Sequence, residues 1–263
     1  PLRFFWICQH RGAASHQFRA ETCGGAKFRR NQLQRSRDCF ADVAFAQSFP
    51  LVLPVGFIRR KPMGYGAGGF RYLMLEDQLA VNLSSSVSTG ATSFDTYTAS
   101  DSFRTLNQFY GGEFGMIEKW WRDRWSLQVL GKVALGATTV STRINGVTTE
   151  TATTSAGTTT TGTYPGGVLA QPTNPGNEQS LFAAAGEFGV TADYAIWSQF
   201  RLSVGYSLIY WTTVGRVTDQ IDPSVNPTQF GGGTLVGTPE PSFNLSTTGF
   251  WAQGINAGLE YQF

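Results

Sequence analysis

Apolar and polar positions alternate with a period of two along most of the chain after residue 66, the spacing of a strand with one face unlike the other. Six segments carry the pattern: residues 68–82, 103–122, 125–139, 180–196, 200–212 and 249–263. In the third, Trp125, Leu127, Val129, Gly131, Val133 and Leu135 form one face, and Ser126, Gln128, Lys132, Ala134 and Gly136 most of the other, with Leu130 an exception. In the fourth, Phe182, Ala184, Phe188, Val190 and Tyr194 oppose Ala183, Glu187, Thr191 and Asp193. In the fifth, Leu202, Val204, Tyr206, Leu208 and Tyr210 oppose Arg201, Ser203, Gly205 and Ser207. The first two segments alternate less cleanly. The last ends "INAGLEYQF", with Ile255, Ala257, Leu259, Tyr261 and Phe263 at alternate positions and Glu260 on the other side.

Alternation alone fits a soluble sheet equally well. The connections change the picture. Asp123-Arg124 in "WRDRW" suits a two-residue hairpin turn, and "IWSQF", with Ser198-Gln199, is nearly as short. The other three connections are expected to run to about twenty, forty and thirty-five residues, rich in Thr, Gly and Pro, and to be turn or low-complexity chain. Such loops are uncommon inside a compact soluble domain. Short turns at one end and long loops at the other are the plan of an outer-membrane barrel.

The residues on the two faces favour the membrane. Ring-bearing side chains gather near the strand ends, with Trp125, Tyr194, Phe200, Tyr261 and Phe263 toward the short turns and Phe182, Tyr210 and Trp251 toward the long loops. Two such girdles a strand length apart match the height of a bilayer's apolar band. Glu113, Lys132, Glu187, Arg201 and Glu260 share the opposite face with glycines. Buried unpaired in a small core each would cost several kcal/mol, whereas a wet or salt-bridged lumen accommodates them. These five are expected to face the lumen, either as a selectivity lining or as a salt-bridge network that plugs it. The plug suits a small barrel better, because a barrel near eight strands has its interior filled by side chains. Outer-membrane proteins typically end on an aromatic residue preceded by alternating apolar ones, so Ile255, Ala257, Leu259, Tyr261 and Phe263 resemble an assembly signal.

Composition divides the chain in two. Residues 1–65 hold eleven of the twenty Lys and Arg but only Glu21, Asp38 and Asp42 as acids; the rest holds nine basic and fifteen acidic residues. Cys8, Cys23, Cys39, His10 and His16 all lie in that first part. No signal-peptide pattern opens the chain, and a start on Pro1 suggests a fragment. Residues 1–65 are expected to be disordered or a translation artefact, and residues 66–263 the C-terminal portion of an outer-membrane barrel. An odd cysteine count supports neither a disulfide framework nor a zinc site.

"GGFRYLMLED", "NQFYGGEFGM", "WRDRWSLQVLGKVALG", "LFAAAGEFGVTADY", "RLSVGYSLIYW", "DQIDPSVNPTQ" and "FWAQGINAGLEYQF" follow one another in that order. Together they resemble the C-terminal part of the seventh putative beta-barrel porin family, bacterial outer-membrane proteins without an established activity. The resemblance spans residues 66–263 and implies further strands upstream, so that about six strands of about ten are present. The expected fold class is all-β, an antiparallel transmembrane barrel in the bacterial outer membrane. Its expected partners are outer-membrane lipid and the barrel-assembly machinery, with no nucleic acid.

Catalysis is not expected. Residues 66–263 contain no His and no Cys, which removes a His-dependent triad and a thiolate nucleophile or metal site. Asp219, Asp222 and Asn226 could offer oxygen ligands to calcium, but two prolines in "DQIDPSVNP" suit a rigid turn better. Neither a metal nor a cofactor is expected. The carboxylates Glu187 and Asp193, or Asp219 and Asp222, read more simply as solvated or salt-bridged than as an acid–base pair. A porin-like or structural barrel is the leading function. The alternative is a surface adhesion or binding module, with the barrel as anchor and the Thr- and Gly-rich loops as contact surface.

Overall fold

A computed structural model describes residues 3–8, 34–42, 46–51, 63–88 and 93–261. The described residues form ten strands: β1 (Arg3–Cys8), β2 (Gln34–Asp42), β3 (Ala46–Leu51), β4 (Met63–Ser88), β5 (Phe94–Arg122), β6 (Trp125–Thr153), β7 (Thr159–Pro165), β8 (Glu178–Ala195), β9 (Phe200–Val214) and β10 (Thr248–Tyr261). They make one antiparallel sheet in the order β1-β10-β9-β8-β6-β5-β4-β2, with β3 also on β4 and β7 also on β6. The sheet curls into a half-barrel. No helix among the described residues is long and apolar enough to cross a membrane, a criterion that does not bear on strands.

Side-chain contacts across the concave face show how tightly the sheet curls. β5 and β9 are three strand steps apart, about 14 Å in a flat sheet. Yet the ring of Phe109 on β5 lies 6.1 Å from that of Trp211 on β9. Beyond the end of β9, the Gly215 amide donates to Asn107 Oδ1 at 2.7 Å, and Asn107 Nδ2 donates back to the Gly215 carbonyl at 2.9 Å. Two glycines permit the bend. Gly111 and Gly136 face each other across β5 and β6, and a Cβ on Gly136 would run into the Tyr110 carbonyl.

The six alternating segments correspond to β4, β5, β6, β8, β9 and β10, but β4, β5 and β6 are much longer than expected, at 26, 29 and 29 residues. Two of the three anticipated long connections are therefore mostly strand. "NGVTTETATTSAGTTTTGTYPGG" holds the end of β6, from Asn145 to Thr153, and the whole of β7, joined by a tight turn. There Thr154 N donates to the Thr158 carbonyl at 2.9 Å, and Gly157 takes a φ of 79°. Threonine is β-branched and favours extended chain, so a run of it pairs readily once a neighbouring strand supplies the ladder. The third connection, between β9 and β10, stays irregular apart from two short 3-10 turns at Val217–Gln220 and Pro227–Gly232. The tight turn falls where the sequence places it, and Asp123 adopts a left-handed φ of 52° that few non-glycine residues tolerate.

Candidate functional site

The two faces of the half-barrel differ in kind. On the convex face Phe114 is 61% exposed, and Trp125, Leu127, Val133, Leu135, Leu202, Val204, Ile255 and Leu259 are exposed as well. Rings cluster at two levels. Toward the short turns, Trp125 and Tyr194 lie 4.7 Å apart and Phe200 and Tyr261 4.8 Å apart. Toward the other end, Tyr72 and Tyr110 are 4.9 Å apart, Phe182 is exposed, and Trp251 pairs in register with Tyr210. On β6 the apolar convex positions run from Trp125 to Ala137 and turn polar at Thr139. Twelve steps of about 3.3 Å, tilted by about 45°, give a height of about 28 Å, close to the apolar band of an outer-membrane barrel. Ala257 is also exposed on this face, and Phe263 lies outside the described residues.

The concave face is filled in layers. Nearest the short turns is an open recess of about 280 Å³, whose lining includes Lys119, Asp193, Arg201, Ser203, Asn256 and Glu260. Arg201 and Glu260 are cross-strand partners there. Asp193 accepts from Ser126 Oγ at 2.8 Å, and Lys119 Nζ stands 3.3 Å from it. In the next layer Arg71 of β4 bridges Glu113 of β5 and Glu187 of β8, while Lys132 Nζ of β6 lies 3.5 Å from Glu113 and 3.9 Å from Glu187. Two cations meet two carboxylates, so the quartet is neutral. Three of the five charged residues proposed from alternation therefore meet in one cluster, and Arg201 and Glu260 belong to another. Arg71 escaped notice because it interrupts an inward run otherwise made by Leu73 and Leu75. A charge inside an apolar period was the available signal.

Above the quartet the lumen side is apolar, which the sequence reading did not anticipate. Leu73, Leu75, Phe109, Ala134, Ala183, Ala185, Trp211 and Val214 form a buried cluster, with Phe250 packed against it. Trp211 Nε1 donates to Thr138 Oγ1 at 2.8 Å, which satisfies the one polar atom of that ring. Higher still, two loops fold inward. Asn107 holds Gly215, and Arg216 pairs with Asp77 of β4. A second apolar cluster joins Phe103 and Ile144 of the wall to Ala170 and Val217 of the loops. At its edge Asp101 accepts from the backbone amides of Val168, Leu169 and Ala170 at 3.2, 2.9 and 3.3 Å. Burial pushes its carboxyl up, and the amides of Leu169, Val168 and Ala170 hold it down. Gly167 has to be glycine here, because a Cβ would overlap Asp101 Oδ1.

Of the loop residues considered as calcium ligands, Asp219 accepts from Thr218 Oγ1 at 3.3 Å, and Asp222 and Asn226 are engaged with the loop's own backbone. Asp222 accepts from Ser224 N at 2.9 Å and Ser242 N at 3.0 Å. Asn226 Oδ1 accepts from Thr228 N at 3.0 Å, and Asn226 Nδ2 donates to the Val236 and Thr238 carbonyls. The backbone amides of Ser242 and Ser224 lower the Asp222 pKa to about 2. A folded-state pKa below the unfolded value of about 3.9 adds stability that is present above pH ~4 and lost as pH falls through about 2. Hydrogen exchange in residues 222–242, corrected for intrinsic rate, is therefore expected to show a difference between parent and Asp222→Asn. That difference should shrink between pH 4 and pH 2, and a constant difference would show that the carboxylate does not clamp the loop.

An all-antiparallel half-barrel with an exposed apolar band outside and a layered interior defines the class, a membrane β-barrel wall. A model of the family described as Putative beta barrel porin-7 matches residues 66–263. The chain belongs to that family. Neither the curated proteins nor the solved structures offer a significant match.

Proposed function

We propose that this chain forms part of an outer-membrane barrel with a plugged lumen, a porin-like or structural protein and not an open diffusion pore. The observation that carries the reading is the filled concave face, where Phe109 is 0% exposed between a neutral quartet of charges and two inward-folded loops. In planar bilayers the full chain is expected to give no steady, large current steps. Long-lived steps in every insertion would mean that a continuous water path passes the apolar layer. No enzyme chemistry is assigned to it.

On this reading the convex band meets lipid, the alternating apolar residues of β10 serve assembly, and the turn at Asp123-Arg124 faces the periplasm. Val133, 42% exposed on the convex face of β6 beside Phe114, would then sit near the bilayer midplane. Val133→Arg is expected to destabilise the refolded protein by about 2–4 kcal/mol. Urea titration in lipid vesicles measures this, and an unchanged midpoint would place Val133 away from lipid.

The reading of the barrel as an anchor for a surface module draws on one further observation. β4, β5 and β6 continue far past the apolar band, with β5 and β6 paired without a break from Arg122↔Trp125 to Phe94↔Thr153. Protease added to intact cells should cut within residues 140–179 and spare residues 122–124.

A further inference from the structure

The recess at the short-turn end is framed by three rows of concave positions that cross the sheet from β5 to β10. In the row nearest the quartet, Lys119 faces Gln128, Gln128 faces Thr191, Thr191 faces Gly205 and Gly205 faces Asn256. The next row holds Ser126, Asp193, Ser203 and Gly258, and the last holds Ala195, Arg201 and Glu260. The space exists because the middle of these rows carries almost no side chain. At Gly205 a Cβ would run into Asn256 Oδ1 and Thr191 Oγ1, so both side chains lean over the glycine. Ser203 and Gly258 keep the row beside it open.

Two charged groups of opposite sign are only partly engaged there. Asp193 accepts from Ser126 Oγ and meets Lys119 Nζ through one oxygen, Oδ2, and its Oδ1 takes no hydrogen bond from a described residue. Arg201 makes no ion pair with any described residue, although Glu260 is its register partner. Glu260 has Arg3 of β1 in register on its other side, so one carboxylate is set between two arginine positions. Asp193 and Arg201 are diagonal neighbours on β8 and β9, with Cα atoms on the order of 7–8 Å apart. One small solute can bridge that gap. The side chains of Gln128, Thr191 and Asn256 bond to no described residue either. Size and charge then narrow the ligand. A volume of about 280 Å³ lies below the range of drug-sized pockets, which excludes an oligosaccharide or a nucleotide. A simple cation would meet Lys119 and Arg201, and a simple anion would meet Asp193 and Glu260. A solute with both charges on neighbouring atoms satisfies the unused oxygen and the unused guanidinium together.

We propose that the recess binds a small zwitterion, a free α-amino acid, with its carboxylate on Arg201 and its ammonium on Asp193 Oδ1. A polar side chain on that amino acid finds donors and acceptors in Gln128 and Asn256. The proposal rests on the reading of the chain as a barrel whose short turns face the periplasm, so that the recess opens to the periplasm beneath the charge quartet. A planar guanidinium matches a carboxylate with two parallel hydrogen bonds, and Arg201 projects from a rigid ladder.

The test uses the full chain refolded in detergent, and heat-modifiable gel mobility first establishes that it is a folded barrel. Failure at that step would overturn the barrel reading on which the site depends, and is thereby distinguished from failure of the site itself. Saturation-transfer NMR then follows L-glutamine, acetate and methylammonium in the presence of the parent, Arg201→Gln and Arg201→Lys. The parent is expected to hold glutamine about tenfold more tightly than either singly charged probe, because neither of those engages both groups. Arg201→Gln should lose about tenfold for glutamine, the effect of removing one charged hydrogen-bond partner, and Arg201→Lys should lose less. Glutamine bound no more tightly than acetate would overturn the proposal. So would equal binding of glutamine by the parent and Arg201→Gln. The comparison of probes needs the parent alone, so it decides the matter even if neither variant folds.

Discussion

Arg71→Met is expected to cost about 3–5 kcal/mol, because it leaves Glu113 and Glu187 facing each other with only Lys132 between them. Arg71 is 1% exposed and Glu113 8%, so solvent can do little to relieve the loss. The cost should come mainly from stranding the carboxylates and only slightly from the missing attraction. Adding Glu113→Gln and Glu187→Gln to Arg71→Met should therefore recover much of it. Urea unfolding of the parent, Arg71→Met, Glu113→Gln/Glu187→Gln and the triple variant in lipid vesicles, followed by tryptophan fluorescence, measures the coupling. If the triple variant is no more stable than Arg71→Met, the charges act independently and the quartet is not a unit.

Phe109→Ala should cost about 3–5 kcal/mol for a different reason. Its ring is fully buried, meets Trp211 edge-on and lies in the apolar layer between the quartet and the loops. Strands in a continuous ladder cannot close in on the space left behind, so a cavity persists where packing was. Phe109→Leu, which keeps most of the volume, should cost much less. A loss in Phe109→Ala no greater than in Phe109→Leu would mean that loop residues collapse into the gap. The same pair separates packing from pore closure, since a water path through the apolar layer would raise the bilayer current of Phe109→Ala alone.

The strands were legible, and their extent was not. The alternation from Trp125 to Leu135 places Trp125 and Lys132 on opposite faces of β6, as observed. Beyond Thr139 the apolar residues thin to Val140, Ile144 and Val147, which do not keep to one face, the contrast that period-two reading depends on weakens, and the chain resembles a loop. Only pairing with β5 and β7 shows that residues 140–153 are strand. The apolar layer was missed for a related reason. Leu73 and Leu75 occupy the concave side of a strand whose convex side, at Tyr72 and Met74, is also apolar, so their alternation is blurred.

What the sequence determined by itself is local: strand direction, the face each side chain takes and the tight turn at Asp123-Arg124. All of these follow from the period-two geometry of extended chain and from which residues tolerate a left-handed φ. The tertiary structure decided which inward groups meet. Arg71 and Glu187 are 116 residues apart, Asn107 and Gly215 are 108, and Asp101 lies 67 to 69 residues from the amides it binds. Those meetings depend on the summed register of several ladders and on the curl of the sheet, and no single segment encodes either. A side chain's face is a property of its own strand, whereas its partner across a lumen is set by every strand between them.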